Sequence, residues 1–168
     1  MTFFGNILWV FFSFNQLVGP GSVAVISRRY GEKEFDAAEK AIKETVLLKI
    51  FFGTVLGIVG YLFAGRMLAL VGAEGDALAL GIGYGRVMFI GLPIMYATYS
   101  LFTAMRGVAN PNLAMNLMIG SNVLNLVLDP IFVFGWFGVP AFGIVGAAYA
   151  SVLSFTITFS VGIFFFQA

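Results

Sequence analysis

Apolar residues in this chain gather into five long tracts separated by short polar connections. The tracts fall at about 3–27, 45–71, 77–105, 113–135 and 143–167, and each meets or exceeds the roughly 20 residues a helix needs to cross a bilayer. They predict five spanning helices. Strands are excluded on two grounds: a barrel strand crosses with only about 9 to 11 residues, and an open sheet would leave its edge groups unpaired in hydrocarbon. The expected fold class is therefore all-α, a polytopic transmembrane bundle of about five spans forming one domain over residues 1–168.

Within the tracts, Gly19-Pro20-Gly21 is expected to break the first span and Pro93 to bend the third, because proline removes a helical N–H. Gly53 and Gly57 form a G-x-x-x-G, and Gly143, Gly146 and Ala150 a stripe of small residues. Both let helices approach closely. The most polar stretch, Arg28 to Glu44, holds Arg28, Arg29, Lys33, Lys40 and Lys43 among five acidic residues. It reads as a solvated connecting helix, with Glu39–Lys43 and Asp36–Lys40 four apart and able to pair.

Basic residues mark the cytoplasmic side of a membrane protein. The Arg28–Lys43 cluster and Arg106 lie in the first and third connections, whereas the fourth, Trp136 to Phe142, has no basic residue. This predicts an N-terminus outside and a C-terminus in the cytoplasm, at the cell (plasma) membrane, with Arg66 alone out of line. Met1 leads into Phe3–Leu17 without a charged segment or a small-residue cleavage site, so the first tract is read as a retained span and not a signal peptide. The apolar start and the ending Phe164-Phe165-Phe166-Gln167-Ala168 suggest a piece of a longer polypeptide.

Composition narrows the chemistry. Charged residues make up 10% of the chain and hydrophobic ones 60%, against about 25% charged in a soluble domain. With no cysteine and no histidine, disulfides, thiol nucleophiles, imidazole catalysis and the usual zinc or haem ligands are all excluded. A net charge of +1 argues against nucleic acid as a partner, which leaves membrane lipids. No Walker A sequence is present, and Gly81-Ile82-Gly83-Tyr84-Gly85-Arg86 has arginine where a dinucleotide loop needs glycine.

Seven of the eight acidic residues lie in polar connections, and the eighth, Asp129, lies inside the fourth span. A charged aspartate at a span centre costs about 2.5 to 3.5 kcal/mol, so it is a functional candidate by default. Asn125 and Asn122 fall within about 40° and 20° of Asp129 at 100° per residue, forming one polar stripe. A carboxylate beside two amide oxygens offers hard donors for Na⁺ or, through the carboxyl group, a proton, and the two would compete. Pro130 adds the Leu126 carbonyl, freed of its helical partner. The bland alternative is that the stripe merely bonds neighbouring helices. Aspartyl catalysis would need a second intramembrane carboxylate, so no enzyme and no cofactor beyond the ion is expected. Arg86 reads as the other charge within a span, snorkelling outward or pairing with Glu74 or Asp76. Tyr84, Met95, Tyr96, Tyr99 and Phe102 are candidates to line a cavity for flat or cationic molecules.

Taken in order, Arg28-Arg29-Tyr30-Gly31 with Ala37-Ala38, Gly91-Leu92-Pro93, Arg106-Gly107, Asn125-Leu126-Val127-Leu128-Asp129-Pro130 and Gly143-Ile144-Val145-Gly146-Ala147-Ala148-Tyr149-Ala150 resemble the multidrug and toxic compound extrusion (MATE) transporters. The resemblance implies that the five spans are helices two to six of a twelve-helix, two-lobed transporter, whose first helix and second lobe are the missing partners. It implies a cation or proton site holding Asn125 and Asp129, with Ser151 where the family commonly has threonine. An aspartate of the family's first helix has no counterpart here. The implied activity is exchange of Na⁺ or H⁺ for an organic, often cationic drug or toxic compound. The rivals are a lipid-linked oligosaccharide flippase, whose cavity should be basic, and a non-transporting structural membrane protein.

Overall fold

The computed structural model describes residues 2–108 and 110–167, with the side chains of 2–4, 17–18 and 166–167 left aside. Five α-helices follow one another: α1 (Thr2–Gly31), α2 (Phe35–Leu70), α3 (Gly75–Gly107), α4 (Pro111–Phe134) and α5 (Ile144–Gln167). A single 3₁₀ turn, Trp136–Gly138, lies between α4 and α5. No strand occurs among the described residues, and all five helices are long and apolar enough to cross a membrane.

Two helix boundaries differ from expectation. The charged stretch is not a separate connecting helix: α1 runs to Gly31 and α2 begins at Phe35. The reversal is sharp because Lys33 adopts a left-handed conformation, φ 62°, and the Arg29 guanidinium donates to the Ala37 carbonyl across the turn, 2.9 Å. At 36 residues, α2 is about 54 Å long, well beyond a hydrocarbon core of about 30 Å, so its first turns carry the charge outside. There Lys43 pairs with Glu39 at 2.5 Å, while Lys40 turns to Glu44, 3.9 Å, instead of Asp36. Nor does Gly19-Pro20-Gly21 break α1, which passes through Pro20 unbroken. That proline removes only the N–H that would reach the Gln16 carbonyl, at an exposed residue.

The helix α3 is the hub, contacting each of the other four. Lipid supplies no hydrophobic drive to bring helices together, so close approach depends on small residues. On α2, a Cβ at Gly53 would lie 2.8 Å from Pro93 Cα, and Gly57 and Gly60 abut the Phe89 carbonyl and ring. The expected G-x-x-x-G is therefore the α2–α3 contact, and it runs antiparallel. Gly91 faces Val152 and Gly162 faces Leu101, which sets α5 parallel to α3. Gly146 sits on the Phe132 backbone and seats α5 against α4. Its stripe neighbour Gly143 touches nothing within 4 Å; with φ +56° it shapes the entry into α5. Around this frame Phe89, Leu92, Met95, Tyr96, Leu68 and Ala148 form the main core, and large apolar side chains such as Leu62 and Phe51 point outward.

Arg86 pairs with neither Glu74 nor Asp76 among the described ion pairs. Its guanidinium lies over the Tyr61 ring, 5.2 Å from the centroid, which joins α3 to α2. One further charge belongs to the interior: Lys49, on α2, is 2% exposed.

Replacing Gly53 by valine in the full-length protein should lower its unfolding free energy by about 1 to 3 kcal/mol through overpacking against Pro93. Gly120→Ala, where a Cβ meets nothing within 4 Å, should leave the melting temperature unchanged or slightly raised. Thermal unfolding in detergent distinguishes the two.

Candidate functional site

The site forms where α3, α4 and α5 meet. Asn110 caps α4, its side chain accepting from the Leu113 N–H at 3.3 Å, with Pro111 in the first turn, where a missing N–H costs nothing. At the other end Gly135, φ +77°, closes the helix in the left-handed conformation. A Cβ there would lie 2.7 Å from the Val139 carbonyl oxygen, so the turn back toward α5 needs glycine. The Phe142 and Gly143 N–H groups then donate to the Phe132 and Val133 carbonyls, 3.0 and 3.2 Å. These bonds fix the register of α5 along α4.

That register sets Ser151 of α5 beside Asn125 of α4. The Asn125 amide donates Nδ2 to Ser151 Oγ at 3.4 Å. One turn along, Asp129 is half-buried, and its Oδ1 is enclosed without a hydrogen-bond donor among the described residues. Tyr84 of α3 stands within electrostatic range of the Asp129 carboxylate. Its neighbour Gly83 faces α5, where a Cβ would lie 3.1 Å from Val145. A carboxylate and an amide of α4 and a hydroxyl of α5 thus lie along one helix contact, with a phenol of α3 in electrostatic range, and their oxygens are hard donors of the kind that suits Na⁺.

The other candidates fall differently. Asn122, on the same stripe, is exposed, on a helix that packs mainly against α5. The Leu126 side chain is exposed, whereas the candidate ligand there is its backbone carbonyl, freed by Pro130. Met95 and Tyr96, expected to line a cavity, are 2% and 1% exposed and packed in the main core. The Tyr96 hydroxyl donates to the Phe11 carbonyl, so this polar tip is spent on joining α3 to α1. Phe102 is buried as well. Tyr99 is half-buried amid the rings of Phe12, Phe102 and Phe155, 5.7 to 6.1 Å between centroids. Among the described residues no group of three His, Cys, Asp or Glu side chains gathers to hold a metal.

Sequence reasoning grouped Tyr84 with the cavity candidates and did not connect it to Asp129, since the two lie on different helices. Lys49 went unremarked beside the charged stretch, although its position beyond Glu44 was the available signal.

Comparison with known proteins covers most of the chain. The MatE family profile matches residues 1–131. The probable multidrug resistance protein YoeA of Bacillus subtilis is 30% identical over 94% of this chain and 34% of its own length. The multidrug export protein MepA of Staphylococcus aureus is 31% identical over 82% of this chain and 30% of its own. Among solved structures, the outward-facing form of a multidrug resistance MATE family transporter of the MOP superfamily superimposes with a TM-score of 0.86 at 29% identity. That match covers 97% of this chain and 35% of the transporter. A MOP superfamily transporter from Pyrococcus furiosus gives a TM-score of 0.88 at 28% identity, over 98% and 36%. The chain spans about a third of the length of these relatives. With the profile matched over most of its residues and the helices superimposed on these transporters, the chain belongs to the MatE family, the multidrug and toxic compound extrusion transporters.

Proposed function

We propose that this chain is the first-lobe portion of a secondary efflux transporter that exchanges Na⁺ or H⁺ for organic, often cationic compounds and carries out no enzymatic step. In this reading Asp129, Asn125 and Ser151 bind the coupling ion, with the Tyr84 hydroxyl as a further oxygen. The observation that carries it is the enclosed Asp129 Oδ1 without a protein donor, one turn from the Asn125–Ser151 contact. A buried acceptor left unsatisfied costs about 1 to 3 kcal/mol, and more when charged. A structural role would have used that oxygen to bond a neighbouring helix. Capture of Na⁺ or a proton repays the cost instead.

The multidrug designations of the B. subtilis and S. aureus relatives support drug-like organic compounds as substrates. Of Met95, Tyr96 and Tyr99, only Tyr99 keeps appreciable accessible surface and fits a substrate-facing role. Asn122, exposed on α4, belongs in this proposal to the rim of the ion site, where the remaining two-thirds of the transporter would cover it. The basic residues at the α1–α2 turn support a cytoplasmic placement of that end, and with it an N-terminus outside.

Two outcomes follow for the full-length protein. In proteoliposomes, uptake of a fluorescent organic cation driven by a Na⁺ or proton gradient should fall at least about tenfold in Asp129→Asn, a loss of about 1.4 kcal/mol or more, while Ser151→Thr stays active. Gradient-driven uptake unchanged in Asp129→Asn would sink the ion-coupling role.

The second outcome is read by thermal unfolding without substrate. In Na⁺-free buffer Asp129→Asn should be more stable than the wild type by about 1 to 3 kcal/mol, because it sheds a buried charge. The coupling ion, whether added as Na⁺ or by lowering the pH, should stabilise the wild type and not the variant.

A further inference from the structure

We propose that the cleft between α2, α3 and α5, at the end of the bundle that carries the α1–α2 turn, binds a zwitterionic aminophospholipid of the phosphatidylethanolamine class. The cleft holds about 680 Å³, within the roughly 300 to 1,000 Å³ of sites that take organic ligands. It arises because α2 and α5 both pack on α3 and not on each other. Toward the other end of the bundle a single core joins α1, α2, α3 and α5, whereas here the core is divided. Ile42 and Val46 of α2 join Val108 of α3 in one cluster, and Leu101 of α3 joins Phe159 and Ile163 of α5 in another. These six side chains wall the cleft from its two sides. An unfilled apolar gap forfeits the contacts its walls would make, and an acyl chain restores them.

The mouth supplies charge of both signs. Glu39, Ile42, Lys43 and Val46 recur at i, i+3, i+4 and i+7, so the two charges stand on the same face of α2 as its two apolar wall residues, and all four line the cleft. Other charges at this end are engaged away from it. Arg28 pairs with Glu32 and Lys40 with Glu44, and the Arg29 guanidinium donates to the Ala37 carbonyl. The lining charges therefore sum to zero, which suits a head group with one charge of each sign better than an anionic lipid or an organic cation.

The side chains of Glu39 and Lys43 are 56% and 70% exposed and pair at 2.5 Å. An exposed pair of this kind contributes little to stability, so opening it to a head group costs little. The lipid phosphate then accepts from the Lys43 ammonium, and the lipid ammonium donates to the Glu39 carboxylate. A primary ammonium carries three N–H donors and a choline none, which selects ethanolamine. Tyr30 and Phe35, edge to face with centroids 5.3 Å apart, wall the mouth beside the turn, and a tyrosine suits the head-group level. From Glu39 to Val46 the wall runs about 10 Å along α2, which accommodates the upper part of one acyl chain.

None of these residues belongs to the proposed ion site, so Asp129→Asn should keep the lipid and the two proposals stand or fall separately. The full-length protein in detergent is titrated with phosphatidylethanolamine, phosphatidylcholine or phosphatidylglycerol, with native mass spectrometry and thermal unfolding as readouts. The wild type should retain phosphatidylethanolamine in preference to the other two and melt higher with it. Glu39→Gln leaves Lys43 alone at the mouth and should weaken phosphatidylethanolamine binding about fivefold, the effect of one charged contact at a membrane surface, while strengthening that of phosphatidylglycerol. Val46→Phe fills the cleft and should weaken all three lipids; if it fails to fold, the exposed Glu39→Gln still decides. Equal retention of the three lipids by the wild type, or phosphatidylethanolamine binding unchanged in either folded variant, would overturn the proposal. So would displacement of phosphatidylethanolamine by tetraphenylphosphonium, which would assign the cleft to a small organic cation.

Discussion

Hydrocarbon neither donates nor accepts hydrogen bonds, so each polar group carried into the bilayer must find its partner within the protein. Most of the intramembrane hydroxyls obey this locally. Thr54, Thr156 and Ser160 donate to the carbonyl four residues earlier at 2.8 to 2.9 Å, which satisfies them without involving another helix. Thr98 does the same with Ile94 and also reaches the Phe155 carbonyl of α5, 3.2 Å. Against that background the few enclosed oxygens without donors, Asp129 Oδ1 among them, stand out as places where the helices do not complete their own bonding.

The same constraint explains why glycine, more than any apolar residue, sets the architecture. Once in lipid, leucine gains little by facing leucine, and association rests on packing surfaces that fit. Pro93 of α3 fits against α2 because Gly53 has no side chain, and the Phe132 carbonyl of α4 reaches α5 because Gly146 has none. These contacts fix two registers, and the registers set which residues stand level with one another. The α4–α5 register brings Asn125 to Ser151, while the α2–α3 register lowers Lys49 to the level of Ala97.

The five spans and the candidate carboxylate were legible in the sequence for one reason: both are written in local composition. An apolar tract long enough to cross the bilayer is a helix almost by necessity, and an aspartate inside one is conspicuous. What the sequence left obscure depends on pairing between helices. The placement of Tyr84 near Asp129 requires α3 and α4 to be set side by side. Tyr96 read as a cavity residue because phenol rings suit both cavities and cores, and only the bond from its hydroxyl to Phe11 decides for the core. The turn at Glu32–Glu34 was hidden because charge spread evenly over 28–44 resembles a continuous solvated helix, whereas the break rests on one residue, Lys33, with positive φ.

A site built from three helices has a mechanical consequence that a site on one helix lacks. Asn125 and Asp129 ride on α4, Ser151 on α5 and Tyr84 on α3, and α4 has little burial of its own. An ion bound at the proposed site would draw these oxygens together and so couple α4 to the α3–α5 pair that Thr98, Gly91 and Gly162 join. A ligand shifts a conformational equilibrium only by its difference in affinity for the two states. Such a difference arises wherever the separation of the α4 oxygens from the hydroxyls of α5 and α3 changes between the states. In the proposed exchange, ion occupancy would therefore favour the state that holds α4 closest to α5 and α3.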